Sequence, residues 1–350
     1  MAQQFSLAQV IEQLEQGLPP EAEAGFLGAQ LDPAEASLLL IPVPWEATTS
    51  YGGGTSAGPE AIRQASHQMD LEDAAFGQPY RAGISYVAPD DTIAELNHPA
   101  REAALTVIEA LEQGKRAERE LTLVNRASEE VKRHVHQQAS ALLSEDKLVA
   151  VVGGDHASPQ GLIQALAEQH REFGILHLDA HHDLREAYEG FTGSHASIFY
   201  NVLEQLPQVQ RLVQVGIRDY SRGEVTYAKQ QGERVAVFYG AELFRHKAAG
   251  ETWQAICERI IAPLPDEVYI SFDIDALDPP YCPNTGTPVP GGLSFDEACY
   301  LLERLVLSGR KIIGFDLCEV APGESEWDAN VGARILYKLC GAALRSQGKC

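Results

Sequence analysis

From residue 147 onward the chain alternates short apolar runs with stretches of helical period, and few architectures accept that pattern. The apolar runs occupy 147–152, 173–178, 211–216, 234–238, 268–274 and 311–317. Helical patterns at 159–168, 195–205, 221–231, 251–262, 294–308 and 328–345 separate most of them. Parallel strands need a crossover between them, usually a helix. The helices then cover both faces of the sheet, so the strands are apolar throughout. Two further runs, at 37–43 and 83–87, bring the expected strands to about eight. No internal repeat or low-complexity linker divides the stretch. The pattern therefore predicts an α/β fold, a single domain over 36–350 with a mainly parallel sheet. Residues 1–35 read as an acidic N-terminal extension. It carries a short helix at Leu7–Leu14, a stop at Gly17 and a connector from Pro19-Pro20 onward.

Between the second and third runs, 99–144 reads as a long helical stretch broken near Gly114. Leu105, Ile108 and Leu111 show helical spacing, and His134 and His136 read as solvated. After the first strand, Thr48-Thr49-Ser50-Tyr51-Gly52-Gly53-Gly54-Thr55-Ser56-Ala57-Gly58-Pro59 forms a glycine-rich loop entering a helix. It lacks the Gly-Lys-Ser/Thr of a phosphate loop, which leaves a tight loop beside an active site.

Charge and cysteine usage narrow the function classes. A net charge of −23 excludes nonspecific attraction to nucleic acid and favours small cations. The six cysteines include no C-x-x-C pair, which suits reduced thiols and a cytoplasmic location. No apolar stretch approaches a membrane span, and the N-terminus has no signal-peptide pattern.

Open α/β sheets bind ligands beyond the carboxyl ends of their strands. Four of the runs end in ligand-type or charged residues: Gly153-Gly154-Asp155-His156, Asp179-Ala180-His181-His182-Asp183, Asp273-Ile274-Asp275 and Cys318-Glu319. Strand parity, if the chain stays extended, points Asp179, His181 and Asp183 one way and His182 the other; Asp273 and Asp275 also share a face. The candidate ligands are His156, Asp179, His181, Asp183, Asp273 and Asp275. Four carboxylates balance two divalent cations, and imidazole and oxygen donors without thiolate suit Mn²⁺, Ni²⁺, Co²⁺ or Fe²⁺. Such a pair readies water as a nucleophile near neutral pH. His177 reads as a core histidine and Asp155 as a partner that supports the ligands.

Two residues add chemistry. His195, at the start of a helix after Gly193-Ser194, stands where a proton donor could reach the site, or is a helix residue with no role. Glu319 suits a planar cation held through two parallel hydrogen bonds, or else pairs with a structural arginine such as Arg334.

These motifs resemble the ureohydrolases, the arginase and agmatinase family. They comprise Gly-Gly-Asp-His at 153–156, Asp-Ala-His-His-Asp at 179–183, Ser-Phe-Asp-Ile-Asp-Ala-Leu-Asp-Pro at 271–279, Gly-Thr-Pro-Val-Pro-Gly-Gly-Leu at 286–293 and Glu319-Val320. The resemblance implies a three-layer α/β/α sandwich, two metal ions (manganese or nickel), and a homotrimer or homohexamer. It implies that His195 shuttles a proton, that Glu319 anchors a guanidinium group and that Asp183 orients the nucleophile. The reaction would be hydrolysis of a guanidino C–N bond to urea and an amine. Ala157 and the segment 184–191 depart from the arginase pattern and argue against arginine. The stretches 44–55 and 327–334 resemble an agmatinase-like branch that includes guanidine hydrolases. Trp45, Tyr51, Tyr188, Phe191 and Trp327 would then close the pocket around a small cationic guanidine. The competing expectations are an agmatinase or guanidino-acid hydrolase, the latter read by Arg185, and a noncatalytic partner subunit.

Overall fold

A computed structural model describes residues 4–17, 20 and 24–350. Most of the connector expected after Pro19 lies outside the described residues. Eight strands form one all-parallel sheet: β1 Leu38–Val43, β2 Ile84–Tyr86, β3 Leu148–Gly153, β4 Phe173–Leu178, β5 Val209–Ile217, β6 Val235–Tyr239, β7 Glu267–Asp273 and β8 Lys311–Cys318. Their spatial order is β2-β1-β3-β8-β7-β4-β5-β6.

Alternate residues of each strand feed two cores. Leu148, Ala150 and Val152 face one side with Leu176, Leu178, Ile270 and Phe272. Helices α2 Gly58–Ala65, α9 Trp253–Ile261, α10 Phe295–Leu307 and α11 Trp327–Ser346 cover that side. Val149, Val151, Ile175 and Leu212 face the other. They lie under α3 Asp91–Glu112, α4 Glu118–Leu143, α5 Gln160–Gln169, α6 Ile198–Gln205 and α7 Arg222–Gln230. This is the expected α/β/α sandwich. The helix α1 Leu7–Glu15 packs Val10 against Leu31 and Leu39 beside the sheet edge.

Three elements differ from the sequence reading. The helix expected from 99 begins at Asp91 and runs through Pro99. Asp90 caps it through Thr92 N at 2.9 Å, and Ile93 extends the buried face. Leu105 and Leu111 are exposed, and α3 instead buries Ala100, Ala103, Ala104 and Val107, whose small side chains permit close packing on α4. A short helix, α8 Gly240–Ala248, buries only Leu243 and so leaves little apolar period to read. His134 and His136 are not free in solvent: His134 meets Asp90 and Glu130, and His136 meets Glu168.

Candidate metal and guanidinium site

The strand order places β3, β8, β7 and β4 side by side. Their carboxyl ends deliver His156, Glu319, Asp273 and Asp179 to one edge. At β3 the turn needs Gly154, because a Cβ there would stand 2.0 Å from the Trp45 carbonyl oxygen.

The extended-strand parity does not hold past β4 and β7. β4 ends at Leu178, and the chain then bends, with Asp183 at φ 54°. Asp275 lies in a 3-10 turn, its N–H donating to Asp273 Oδ1 at 2.8 Å. All six candidate ligands nevertheless converge. His156 Nδ1 is 3.1 Å from Asp179 Oδ2, 3.1 Å from Asp183 Oδ2 and 3.3 Å from Asp273 Oδ2. His181 Nδ1 is 3.0 Å from Asp275 Oδ2 and 3.4 Å from Asp179 Oδ1. Asp179 thus presents one oxygen to each histidine.

Hydrogen bonds behind the cluster orient its members. Ser271 Oγ donates to Asp316, at 2.8 Å to Oδ2, and Tyr269 OH donates to the same carboxylate at 2.7 Å. Ser271 Oγ can then only accept from His156 Nε2, 2.9 Å away, so Nδ1 is the nitrogen that faces the carboxylates and that would offer its lone pair to an ion. His177 is fully buried, as a core histidine should be, and its Nε2 lies 2.8 Å from Asp179 Oδ2. Gln214 bridges His177 Nδ1 at 2.9 Å and His182 Nδ1 at 2.6 Å, so His182 stays out of the cluster. Asp155 accepts from Thr48 Oγ1 at 3.2 Å and from Ala157 N at 3.1 Å. Arg218, which the sequence reading overlooked, donates to the carbonyls of Asp275 at 2.6 Å and Val289 at 2.7 Å, tying β5 to the loop after β7.

The four carboxylates are buried, and among the described residues no lysine or arginine pairs with them. Burial and the charge of Asp179 raise Asp183 to about 7. Burial and the charges of Asp275 and Asp179 hold Asp273 well above the carboxylate range. Burial opposes a charge on His156, yet its bonds to Asp179, Asp183 and Asp273 outweigh that and raise it strongly. Four buried carboxyl groups with no lysine or arginine partner, together with imidazole donors, fit divalent cations, which would displace the protons now held there. The donor atoms fall into groups small enough to hold an ion, His156, His177, Asp179 and Asp183 in one and Asp179, His181 and Asp275 in another.

The shift of Asp183 carries a pH prediction. Its folded value lies above the unfolded carboxylate value, so the metal-free fold holds a proton there below about pH 7 and loses stability as pH rises through that point. Metal ions bind the deprotonated form and restore what was lost. The metal-induced rise in Tm is therefore expected to be small near pH 5.5 and to grow toward pH 8. Apparent affinity should climb about tenfold per pH unit for each proton displaced. Melts with and without chelator across this range test it; a constant increment would move the ion site elsewhere.

Above the cluster lies a cavity of about 150 Å³, lined by Thr49, Ser50, Tyr51, Arg185, Tyr188, His195, Asp219, Tyr220, Glu224 and Glu319. Glu319 is buried at φ 64°, and its Oε1 accepts from His156 N at 2.9 Å. Arg334 donates to the Asn330 carbonyl instead of pairing with Glu319. Burial and the charge of Asp155 raise Glu319 well above the carboxylate range, and among the described residues no lysine or arginine pairs with it. Of the five aromatics expected to close the pocket, Tyr51 and Tyr188 line it. Trp45 and Phe191 are buried in cores, and Trp327 bonds the Pro280 carbonyl at 2.9 Å. Tyr220 and Asp219 line the cavity without having been singled out from the sequence.

The arginase family model matches residues 36–341. The chain belongs to the arginase family. An N(1)-aminopropylagmatine ureohydrolase from Thermus thermophilus is 32% identical over 88% of this chain and 90% of its own length. Proclavaminate amidinohydrolase from Streptomyces clavuligerus is 30% identical over 89% of this chain and 90% of its own. The solved structure of the proclavaminate amidino hydrolase superposes with a TM-score of 0.73 at 24% identity. The match covers 94% of this chain and 99% of the other. This arginase-family chain is thus a C–N hydrolase with a binuclear His/Asp metal centre, which removes the noncatalytic reading. Among its described residues no helix is long and apolar enough to cross a membrane.

Proposed function

We propose that the protein hydrolyses a small guanidinium compound, free or briefly substituted, and releases urea. The size of the cavity carries this reading. About 150 Å³ is well below the roughly 300–1,000 Å³ usual for drug-sized ligands, and Tyr51, Tyr188 and Tyr220 wall it. In this reading His156, Asp179, His181, Asp183, Asp273 and Asp275 hold two divalent ions, manganese or nickel. Bound there, the ions supply the Lewis acidity that readies a water molecule for attack on the guanidinium carbon. Glu319 pairs with one edge of the guanidinium, each group becoming the other's counter-ion, and so fixes the carbon over the cluster. Asp183 orients the attacking water. Burial and the charges of His181 and His156 lower His195 to about 3, so its ring is neutral at pH 7. As the proton shuttle of this reading, it relays a proton to the leaving nitrogen. Assembly as a homotrimer or homohexamer in the cytoplasm belongs to the same reading.

A second reading, an amine-tailed guanidine such as agmatine, is favoured by the carboxylate of Asp219 in the cavity wall and by the name of the Thermus relative. A guanidino acid fits less well. Arg185 stacks on Tyr188 at 4.5 Å and lies 3.6 Å from Glu224, so its charge is already matched. Urea release from guanidine, agmatine, 4-guanidinobutyrate and arginine, with the protein loaded separately with Mn²⁺ and Ni²⁺, decides among them. Guanidine is expected to turn over at least about tenfold faster, by kcat/KM, than any tailed substrate. Faster turnover of agmatine would overturn the small-substrate reading.

A further inference from the structure

The glycine-rich loop after β1 has the backbone of an anion nest, yet the chain fills the nest itself. Glu46 accepts from Gly54 N at 2.6 Å and from Ser56 N at 3.1 Å. Arg101 on α3 donates to the carbonyls of Thr49 and Gly52, and Asn97 accepts from Glu46 N at 2.8 Å. The loop is thereby tied down where Thr49, Ser50 and Tyr51 line the cavity, with its nest taken by Glu46. Of its buried hydroxyls, that of Thr48 reaches His195.

Thr48 Oγ1 lies 3.2 Å from Asp155 Oδ2, accepts from His195 N at 3.2 Å and stands 3.3 Å from His195 Nδ1. The hydroxyl has a single proton, and the ionised form of Asp155 takes it. Toward Nδ1 the oxygen can then only accept, so Nδ1 must carry the ring proton. Ser194 Oγ, also 3.3 Å from Nδ1, already accepts from Ala196 N and can turn to suit either tautomer, so the choice falls to Thr48. The ring's other nitrogen, Nε2, is left with its lone pair for the cavity that His195 lines.

We propose that Thr48 is a positioning residue for the reaction: its hydroxyl, held by Asp155, fixes the orientation and tautomer of His195 so that Nε2 exchanges protons with the reacting groups. The proposal rests on the proton-shuttle role of His195 given above. It assigns the glycine-rich loop two tasks, lining the cavity and carrying the hydroxyl that aims the shuttle.

The test compares Thr48→Val, Thr48→Ser and His195→Asn in the metal-loaded enzyme. Urea release is followed from guanidine and, in parallel, from agmatine, with metal content measured for each variant. Valine keeps the volume and loses the hydroxyl; serine keeps the hydroxyl. Thr48→Val is expected to lower kcat about 10- to 100-fold with KM within about threefold and two metal ions retained. Thr48→Ser should stay within about threefold of the parent. Parental kcat in Thr48→Val overturns the proposal. So does an equal loss in the valine and serine variants with KM raised, which would mean that Thr48 only packs the loop. A parental rate in His195→Asn would instead remove the shuttle beneath the proposal. A slow His195→Asn beside a parental Thr48→Val would leave the shuttle standing without Thr48.

Discussion

Asp183→Ala and Asp275→Ala should each hold one divalent ion where the parent holds two, and each should lose at least about a thousandfold in kcat/KM. The two carboxylates serve opposite halves of the cluster: Asp183 stands with His156, at 3.1 Å, and Asp275 with His181, at 3.0 Å. Removing either leaves Asp179 shared between one complete and one broken half. The cost is expected to be far above that of an ordinary buried substitution, because on the proposed assignment the lost group both binds an ion and balances its charge. Elemental analysis after dialysis against Mn²⁺ or Ni²⁺, with urea release on the same samples, reads both effects. Two ions and full activity in either variant would refute the assignment of that residue. The pair also separates the halves: if both variants lost both ions, the sites would be coupled through Asp179 rather than independent.

Local motif density explains why these candidate ligands could be picked out in the sequence. Asp179, His181 and Asp183 fall within five residues of one strand end, and Asp273 and Asp275 within three of another. The alternation of strands and helices likewise dictated a parallel sheet covered on both faces. What could not be read was adjacency. The order β3-β8-β7-β4 comes from crossovers between strands distant in sequence. Side-chain parity failed past Leu178 because the backbone turns there, Asp183 adopting φ 54°. Three aromatics expected in the cavity are elsewhere. Trp45 and Phe191 are buried in cores, where apolar rings gain most, and Trp327 turns to the Pro280 carbonyl. The contact of Thr48 with His195 joins residues 147 positions apart and leaves no local trace.

Glu319 joins function to backbone strain, and a comparison of glycine and alanine at this position should separate the two. Its φ of 64° is costly for any residue with a Cβ, and its buried carboxylate has no cation among the described residues. Such strain persists where the surrounding structure enforces it; here Glu319 N donates to the Gly154 carbonyl at 2.8 Å and Oε1 accepts from His156 N at 2.9 Å. Glu319→Ala and Glu319→Gly should lose activity alike, by about 10²- to 10⁴-fold in kcat/KM, since on the proposed role of Glu319 both delete the guanidinium's counter-ion. Their stabilities should differ: both lose the same carboxylate and the same bond to His156 N, but only glycine is relieved of the left-handed backbone, about 1 kcal/mol in its favour. Glu319→Gln keeps an oxygen for His156 N and removes the charge, so it should fold like the parent and still fail to bind the cation. Thermal melts and urea-release kinetics on the three variants read this pattern. Equal stability of the alanine and glycine variants would show that the backbone stores no strain there, and parental activity in any of the three would release Glu319 from the guanidinium.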